Sequence, residues 1–280
     1  MKVLFIGNRF FVLKSLFNII KLENINIYAL ENSPLQKFLN QKKINYSLFK
    51  INEKEKIVKL ISESDFDYLI SNGLPFLIPV SKIKRTNQSF INIHPTLLPY
   101  LKGKTPINGV FYNKMNHFGA TMHHMNDKVD DGKIIFQKKQ KITADLNLAM
   151  VYYMSFRLES EVLSEGFQYI NKKIEKDNYK LNGAGSYFNR TKDKTTINFS
   201  DDDDELIIRK IKSFGISTQG CKTLVNSKKL TIFDGKIIKN IKFLNWFKDY
   251  SPGSIVLELD GCTYVKTINS VLRIEKSKWD

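Results

Sequence analysis

The sequence predicts an α/β protein: a mostly parallel sheet with helices on both faces, followed by a smaller β-rich C-terminal domain. Three observations predict this. The first half alternates short β-branched and apolar runs with segments of helical spacing, a pattern that implies right-handed βαβ units. From Lys222 to the end the apolar runs are short and β-type, with Gly, Pro and Asp turns between them. A polar stretch separates the two patterns, so domains are expected at 1–170 and 200–280, with 171–199 connecting them.

In order, residues 2–6 (KVLFI) make a first strand and 10–20 show helical spacing. Strands at 25–30, 45–49 and 67–70 alternate with helices at 33–41 and 53–62, and 90–93 is the next strand. Residues 119–125 and 133–139 are strand-like about a turn at 127–132, which predicts an antiparallel pair appended to the sheet. Residues 144–169 form a long amphipathic helix, with Leu146, Met150, Tyr153, Leu158 and Leu163 near the stripe expected to face the core. The acidic run SDDDDE at 200–205 opens a helix at 206–214, where negative charge complements the helix dipole; that reading is preferred to a metal site. Short strands at 222–225, 229–233, 255–259 and 264–267, with turns at Asp234-Gly235 and Ser251-Pro252-Gly253, suggest a small barrel or sandwich. The first domain is Rossmann-like in its alternation, although no G-x-G-x-x-G or P-loop occurs.

Composition narrows the function. At 42% hydrophobic and 26% charged over 280 residues, the chain is ordinary for a globular protein. No apolar run approaches the roughly 20 residues that cross a bilayer. The apolar core of MKVLFIGNRF is shorter than the roughly 7–15 residues of a secretory signal. A cytoplasmic protein with no membrane partner is expected. Cys221 and Cys262 are too few for a disulfide framework or a thiolate metal site. The net charge of +16 invites a nucleic-acid reading. Against it, 6 arginines stand beside 38 lysines scattered along the whole chain, and planar, forked contacts favour arginine. The charge is read as compositional bias with a general attraction to anionic ligands, and no nucleic-acid partner is expected.

The stretch FINIHPTLLPYLKGKTP ends a strand on Asn92 and His94. In an open parallel sheet, ligands bind beyond the carboxyl ends of the strands, and residues two apart on a strand share a face. An amide and an imidazole placed there can donate hydrogen bonds to a developing oxyanion or move a proton. The anion that would set the histidine is sought in the turn Lys128-Val-Asp-Asp-Gly132. Thr121 and His123 face one side of their strand and His124 the other, so the adjacent histidines diverge and no metal is expected. His117 reads as a surface residue.

Together these elements resemble the folate-dependent formyltransferases, whose signature runs Asn-x-His-x-x-Leu-Leu-Pro, a basic Gly loop, Gly-x-Thr-x-His, then Asp-x-Gly. This chain reads Asn92-Ile-His-Pro-Thr-Leu-Leu-Pro99, Leu-Lys-Gly-Lys-Thr-Pro106, Gly119-Ala-Thr-Met-His123 and Asp130-Asp-Gly132, with Asp130 following His94 by 36 residues. The resemblance is specific over 90–135, looser over the N-terminal sheet and weakest beyond Tyr169. It implies a catalytic domain at 1–170 that passes formyl from 10-formyltetrahydrofolate to an amine, with no metal. Asn92 and His94 would stabilise the tetrahedral oxyanion, at about 3–4 kcal/mol per donor. Asp130, chosen over Asp131 by the Asp-x-Gly register, would orient and charge His94 and help remove the amine proton. Thr121 and His123 would support them. Folate is expected against 71–79 and 125–131, through Leu74, Phe76, Leu77, Met125, Asp127 and Asp131, an apolar slot that suits a flat pterin. Phe76 and Leu77 read equally well as plain core.

Three acceptors compete. A glycinamide-ribonucleotide enzyme would resemble only the first domain. Methionyl-tRNA formyltransferases share the domain order, and a basic surface suits tRNA. That family usually inserts a long basic loop after the second strand, whereas here Ile27-Tyr-Ala-Leu-Glu-Asn-Ser-Pro-Leu35 passes straight from strand to helix. The loop Tyr100-Leu-Lys-Gly-Lys104 also lacks that family's Arg-rich character. The short connections and Gly183-Ala-Gly-Ser-Tyr-Phe188 resemble the sugar-nucleotide N-formyltransferases. That resemblance implies a dTDP-linked amino-dideoxyhexose, first dTDP-4-amino-4,6-dideoxyglucose and then its 3-amino isomer, giving a formamido sugar for surface polysaccharide. Expected substrate contacts are Gly7, Asn8 and Arg9 at the diphosphate, Gly103 and Lys104 in the basic loop, Tyr187 on the sugar or base, and Phe214 stacked on the base. Tyr187 and Phe214 read equally as packing. A non-catalytic binding module on the same fold is the remaining alternative, and exposed strand edges in the β-rich tail would allow a homodimer.

Overall fold

Strand β1, Val3–Gly7, is buried at every position, and its side chains divide between two cores. Val3 and Phe5 join one with Leu13, Leu35, Leu163 and Phe167. Leu4 and Ile6 join the other with Ile57, Ile61, Leu69 and Phe90. A strand apolar on both faces belongs in the middle of a sheet covered on both sides. The structure is a computed structural model that describes residues 1–171 and 185–279. Residues 172–184, which include part of the expected connection and Gly183, lie outside the described residues.

After β1 come α1 (Phe11–Leu16), β2 (Ile25–Leu30), α2 (Pro34–Lys42), β3 (Ser47–Phe49), α3 (Lys54–Glu63), β4 (Tyr68–Asn72), α4 (Val80–Ile83) and β5 (Ser89–His94). Then follow α5 (Asn108–Tyr112), β6 (His117–His124), β7 (Ile134–Lys141) and α6 (Leu148–Asn171). The strands form one sheet in the order β3-β2-β1-β4-β5-β6-β7. Its first five strands are parallel, and β6 and β7 are antiparallel. Strand order reverses between β1 and β4, which makes the carboxyl ends of those strands the crevice where such sheets bind ligands. Glu31, Asn32 and Ser33 alone connect β2 to α2. Ser33 caps the helix by accepting from Gln36 N at 3.2 Å, and Pro34 occupies its first turn.

The chain divides into two units. The first comprises Met1–Ile107, Asn116–Ile142 and Val151–Phe188, the second Asn108–Met115, Thr143–Met150 and Asn189–Asp280, each as far as it is described. The second unit carries α5, α7 (Lys192–Thr195), α8 (Asp204–Phe214), β8 (Cys221–Val225), β9 (Lys228–Ile238), α9 (Ile241–Trp246), β10 (Ile255–Leu259), β11 (Cys262–Lys266) and β12 (Val271–Trp279). Its strands make an antiparallel sheet in the order β10-β11-β12-β9-β8. Asp203 caps α8 by accepting from Leu206 N at 2.7 Å, so the acidic run serves the helix start.

Several expectations are corrected. The helix expected over 10–20 stops at Leu16, and a tightened turn (Asn18 N to Ser15 O at 3.1 Å, Ile19 N to Leu16 O at 2.9 Å) carries Ile20 into the core, which extends the apolar spacing past the helix end. On α6, Met150 and Tyr153 are 42% and 58% exposed. The buried line is Leu148, Val151, Ser155, Glu159, Val162, Leu163 and Phe167, whose two polar members disguised it. The second sheet is open at β10 and β8 rather than a closed barrel or a two-sheet sandwich. Asp234-Gly235 is no turn. Both residues lie inside β9, where the pairing with β12 slips past Glu275 and Gly235 packs against Arg273 O. Strand β12 and helix α9 were not anticipated. No helix among the described residues is long and apolar enough to cross a membrane.

Candidate active site

Strand β5 ends at His94, and the antiparallel β6 lies against it, with Asn92 opposite His123 and His94 opposite Thr121. The β6–β7 turn returns Asp130 to the same place. Its backbone is left-handed at φ 49°, a conformation that Asp tolerates better than most residues, and its carboxylate faces inward. Asp130 Oδ1 lies 3.3 Å from Asn92 Nδ2, 3.5 Å from His94 Nδ1 and 3.8 Å from His123 Nε2. Asp130 Oδ2 accepts from Gly103 N at 3.0 Å. The strand end and the distant turn, 36 residues apart in the chain, thus share one polar centre.

The hydrogen positions follow from the partners. His94 Nε2 is 3.0 Å from Leu101 O, and a carbonyl only accepts, so that nitrogen carries hydrogen. The hydroxyl of Thr96 donates to the same oxygen at 3.1 Å. His94 Nδ1 is left facing Asp130 Oδ1. His123 Nδ1 donates to His124 O at 2.8 Å. Its Nε2 is therefore a lone pair, which accepts from Asn92 Nδ2 at 3.1 Å. Burial pulls the His123 imidazole down to about 4, with Asp130 opposing and His94 adding to the shift, so the ring is neutral near pH 7. Asn92 turns one amide hydrogen to His123 and the other to Asp130. The Asn92 amide and His94 Nδ1 thus converge on one carboxylate oxygen of Asp130.

The loop from Pro95 to Lys104 is tied down from several sides. Thr121 Oγ1 donates to Thr96 O at 2.6 Å and accepts from Leu98 N at 3.1 Å and Gln137 Nε2 at 2.8 Å. The segment 185–188 runs alongside 101–102. Lys102 N donates to Ser186 O at 2.8 Å, and Phe188 N donates to Lys102 O at 2.8 Å. Gly185 has φ +72°, and a side chain there would strike Pro99 O. This pairing lays the Tyr187 ring 5.5 Å from Lys102 Nζ. Lys102, itself buried, forms an ion pair with Asp131, whose carboxyl Lys102 holds below the usual range.

Residues 25–166 match the family model described as formyl transferase, and residues 189–280 match the formyl transferase C-terminal domain. The chain belongs to the formyl transferase family. It is an enzyme, an N-formyltransferase. The methionyl-tRNA formyltransferase of Buchnera aphidicola subsp. Schizaphis graminum is 25% identical over 236 residues, 84% of this chain and 73% of that protein. An N-formyltransferase from Helicobacter canadensis, solved with folinic acid and dTDP-3-aminofucose, superposes with a TM-score of 0.72 at 19% identity, covering 99% of this chain and 100% of that one. HypX from Aquifex aeolicus, solved with tetrahydrofolic acid, gives a TM-score of 0.65 at 15% identity and covers all of this chain, which spans 44% of HypX.

In this formyltransferase the remaining expected residues divide. Leu74, Phe76 and Met125 are brought together as partly buried neighbours of one core cluster, while Leu77 is exposed beside them. Asp127 accepts from Ser81 N at 3.0 Å, and its hydrogen bonds to Ser81 lower its carboxyl. Tyr187 is 59% exposed. Lys104 is exposed beside Gly103. Two expectations are corrected. Arg9 offers no free cation to a diphosphate, because its guanidinium is paired with Glu159, Nε to Oε2 at 2.9 Å and Nη2 to Oε1 at 2.6 Å. Gly7 and Asn8 lie in the same turn, with Asn8 N bonded to Asn72 O at 3.1 Å. Phe214 is 0% exposed and packs on Tyr112, 6.2 Å between ring centroids, within the second unit. It is core, not a platform for a base. Among the described residues no group of three or more His, Cys, Asp or Glu is placed to hold a metal ion. Lys102, Asn72 and Glu159 were missed. A lone acid on the buried line of α6 was the available signal for Glu159.

Proposed function

We propose that this formyltransferase passes the formyl group of 10-formyltetrahydrofolate to the amino group of a dTDP-linked amino-dideoxyhexose, in the cytoplasm. The observation that carries the chemistry is the convergence of Asn92 Nδ2 and His94 Nδ1 on a single carboxylate oxygen of Asp130, at 3.3 and 3.5 Å. Donors that meet on one anionic oxygen can meet on another. The acceptor nitrogen attacks the formyl carbon, the C–N bond forms, and the carbonyl electron pair moves to oxygen beside these two donors. Asp130 takes the ammonium proton, directly or through water. The bond from carbon to folate N10 then breaks, its electron pair goes to N10, and the proton shared by Asp130 and His94 is returned there. Formamide and tetrahydrofolate result.

The folate is assigned to the slot of Leu74, Phe76, Leu77 and Met125, with Asp127 and Asp131 at its rim. The nucleotide sugar is assigned to Gly103, Lys104 and Tyr187; the backbone of Asn8, bonded to Asn72 O and Leu35 N, takes no part. The direct passage from β2 to α2 supports a small acceptor over tRNA, as does the full-length match to a neighbour solved with a dTDP-amino sugar. That neighbour carries a 3-amino sugar, so both dTDP-4-amino-4,6-dideoxyglucose and its 3-amino isomer belong in the test. Incubation with 10-formyltetrahydrofolate and each amino sugar should give a formamido product gaining one formyl mass. Formylation of charged initiator tRNA, with the sugars untouched, would refute the acceptor assignment.

A further inference from the structure

Apart from the expected residues, helix α6 carries one acid on its buried line. Glu159 is fully enclosed, and both its carboxylate oxygens are bonded by Arg9, at 2.6 and 2.9 Å. The Arg9 guanidinium also lies over Phe156, 4.9 Å from the ring centroid. Asn72, at the carboxyl end of β4, acts electrostatically on Glu159. Arg9 Nη1 stands against the next residue, Gly73, where a Cβ would strike it, and Asn72 Nδ2 donates to Ile93 O at 3.2 Å. That carbonyl stands in the chain between Asn92 and His94. Turning the Asn72 amide over would set its oxygen against both a carboxylate and a carbonyl, so the acid dictates the orientation of the amide. The end of β1 closes on the same residue. Gly7 is pressed on Asn72 O so closely that a side chain there would collide.

We propose that the Arg9–Glu159 pair is a positioning device for formyl transfer: through Asn72 it fixes the Ile93 peptide, and with it the directions of Asn92 and His94. This rests on the formyl-transfer reading. Chemistry favours it over a purely structural pair, because a buried ion pair is no more stabilising than well-packed apolar side chains of the same size. Here the pair sits at the point where the strand order reverses, beside Asn72, whose amide reaches a carbonyl of the catalytic strand.

Two variants test it against the wild type. Glu159→Gln keeps the shape and removes the charge, and its turnover is expected to fall ten- to a hundredfold at unchanged KM for both substrates. Long-range ¹H–¹⁵N signals of the His94 ring should move while those of His117 hold. Arg9→Met/Glu159→Met removes both charges and leaves no unpaired ion, so it should fold even where the single variant does not, and show the same loss at the wild-type melting temperature. Wild-type turnover with unmoved His94 signals in the double variant would overturn the proposal. The ring signals are read without substrate. They therefore decide it even if the wild-type protein formylates nothing offered, an outcome that would overturn the formyl-transfer reading instead.

Discussion

His123 accepts a hydrogen bond from Asn92, 3.1 Å from Nε2 to Nδ2, and it can do so only as a neutral ring whose other nitrogen donates to His124 O. The Asn92 amide is thus set by the tautomer of a buried neighbour. That neighbour gives the fold a pH dependence. Its folded value is about 4, against an ordinary 6.5, so the unfolded chain binds more protons between those limits. Stability should be complete above pH 6.5 and fall as the pH drops towards 4, by on the order of 3 kcal/mol from this ring. Burial lowers His124 too, which adds to the loss with the same sign. Urea midpoints measured from pH 7 to pH 4 should show this slope, and His123→Gln, which still offers Asn92 an acceptor, should flatten it.

Asp130→Asn should fold and lose turnover by about a thousandfold, the scale of a lost acid–base group. The amide keeps the size of the side chain and can still accept from Gly103 N, so the melting temperature should stay within a few degrees of wild type. Single-turnover formyl transfer is the measurement. Activity retained within tenfold would shift the proton-accepting role to Asp131, whose charge is already engaged by Lys102.

The α/β half was legible because its burial is periodic. The run at β2 alternates buried with partly exposed positions, and Ser33 with Pro34 announces the next helix. The polar centre was legible because Asn92, His94 and Asp130 lie in short motifs whose spacing survives in the chain. What stayed hidden depends on partners far apart in sequence. Glu159 and Arg9 are 150 residues apart, and neither has a local reason to be ionic. Phe214 invited a stacking role because an aromatic at a helix end reads the same whether covered or open. In the second unit, Gly235 resembles a turn residue, yet the close approach of Arg273 O inside a long strand is what requires a residue without a side chain there.

Gly185→Ala should unfasten Tyr187 from the site. Its φ of +72° costs a side-chain-bearing residue about 1–2 kcal/mol, and the added carbon would strike Pro99 O. The pairing of 185–188 with 101–102 would have to shift. The expected result is a rise in KM for the nucleotide sugar with little change for folate, and a melting temperature lower by several degrees. Unaltered KM for both substrates would remove Tyr187 from the acceptor site.

Lys210 tests the second unit by itself. This buried lysine on α8 donates to Asp202 Oδ2 at 2.6 Å and to Thr196 O at 2.7 Å, while Asp202 also accepts from Asn198 N at 3.0 Å. Lys210→Met keeps the aliphatic stem but strands a buried carboxylate, which should cost roughly 3–5 kcal/mol. Adding Asp202→Asn removes the stranded charge while its side-chain oxygen still accepts from Asn198, so much of the loss should return. Differential scanning calorimetry of the two variants measures the difference. A double variant no more stable than Lys210→Met alone would mean that the lysine acts by packing rather than by pairing charge.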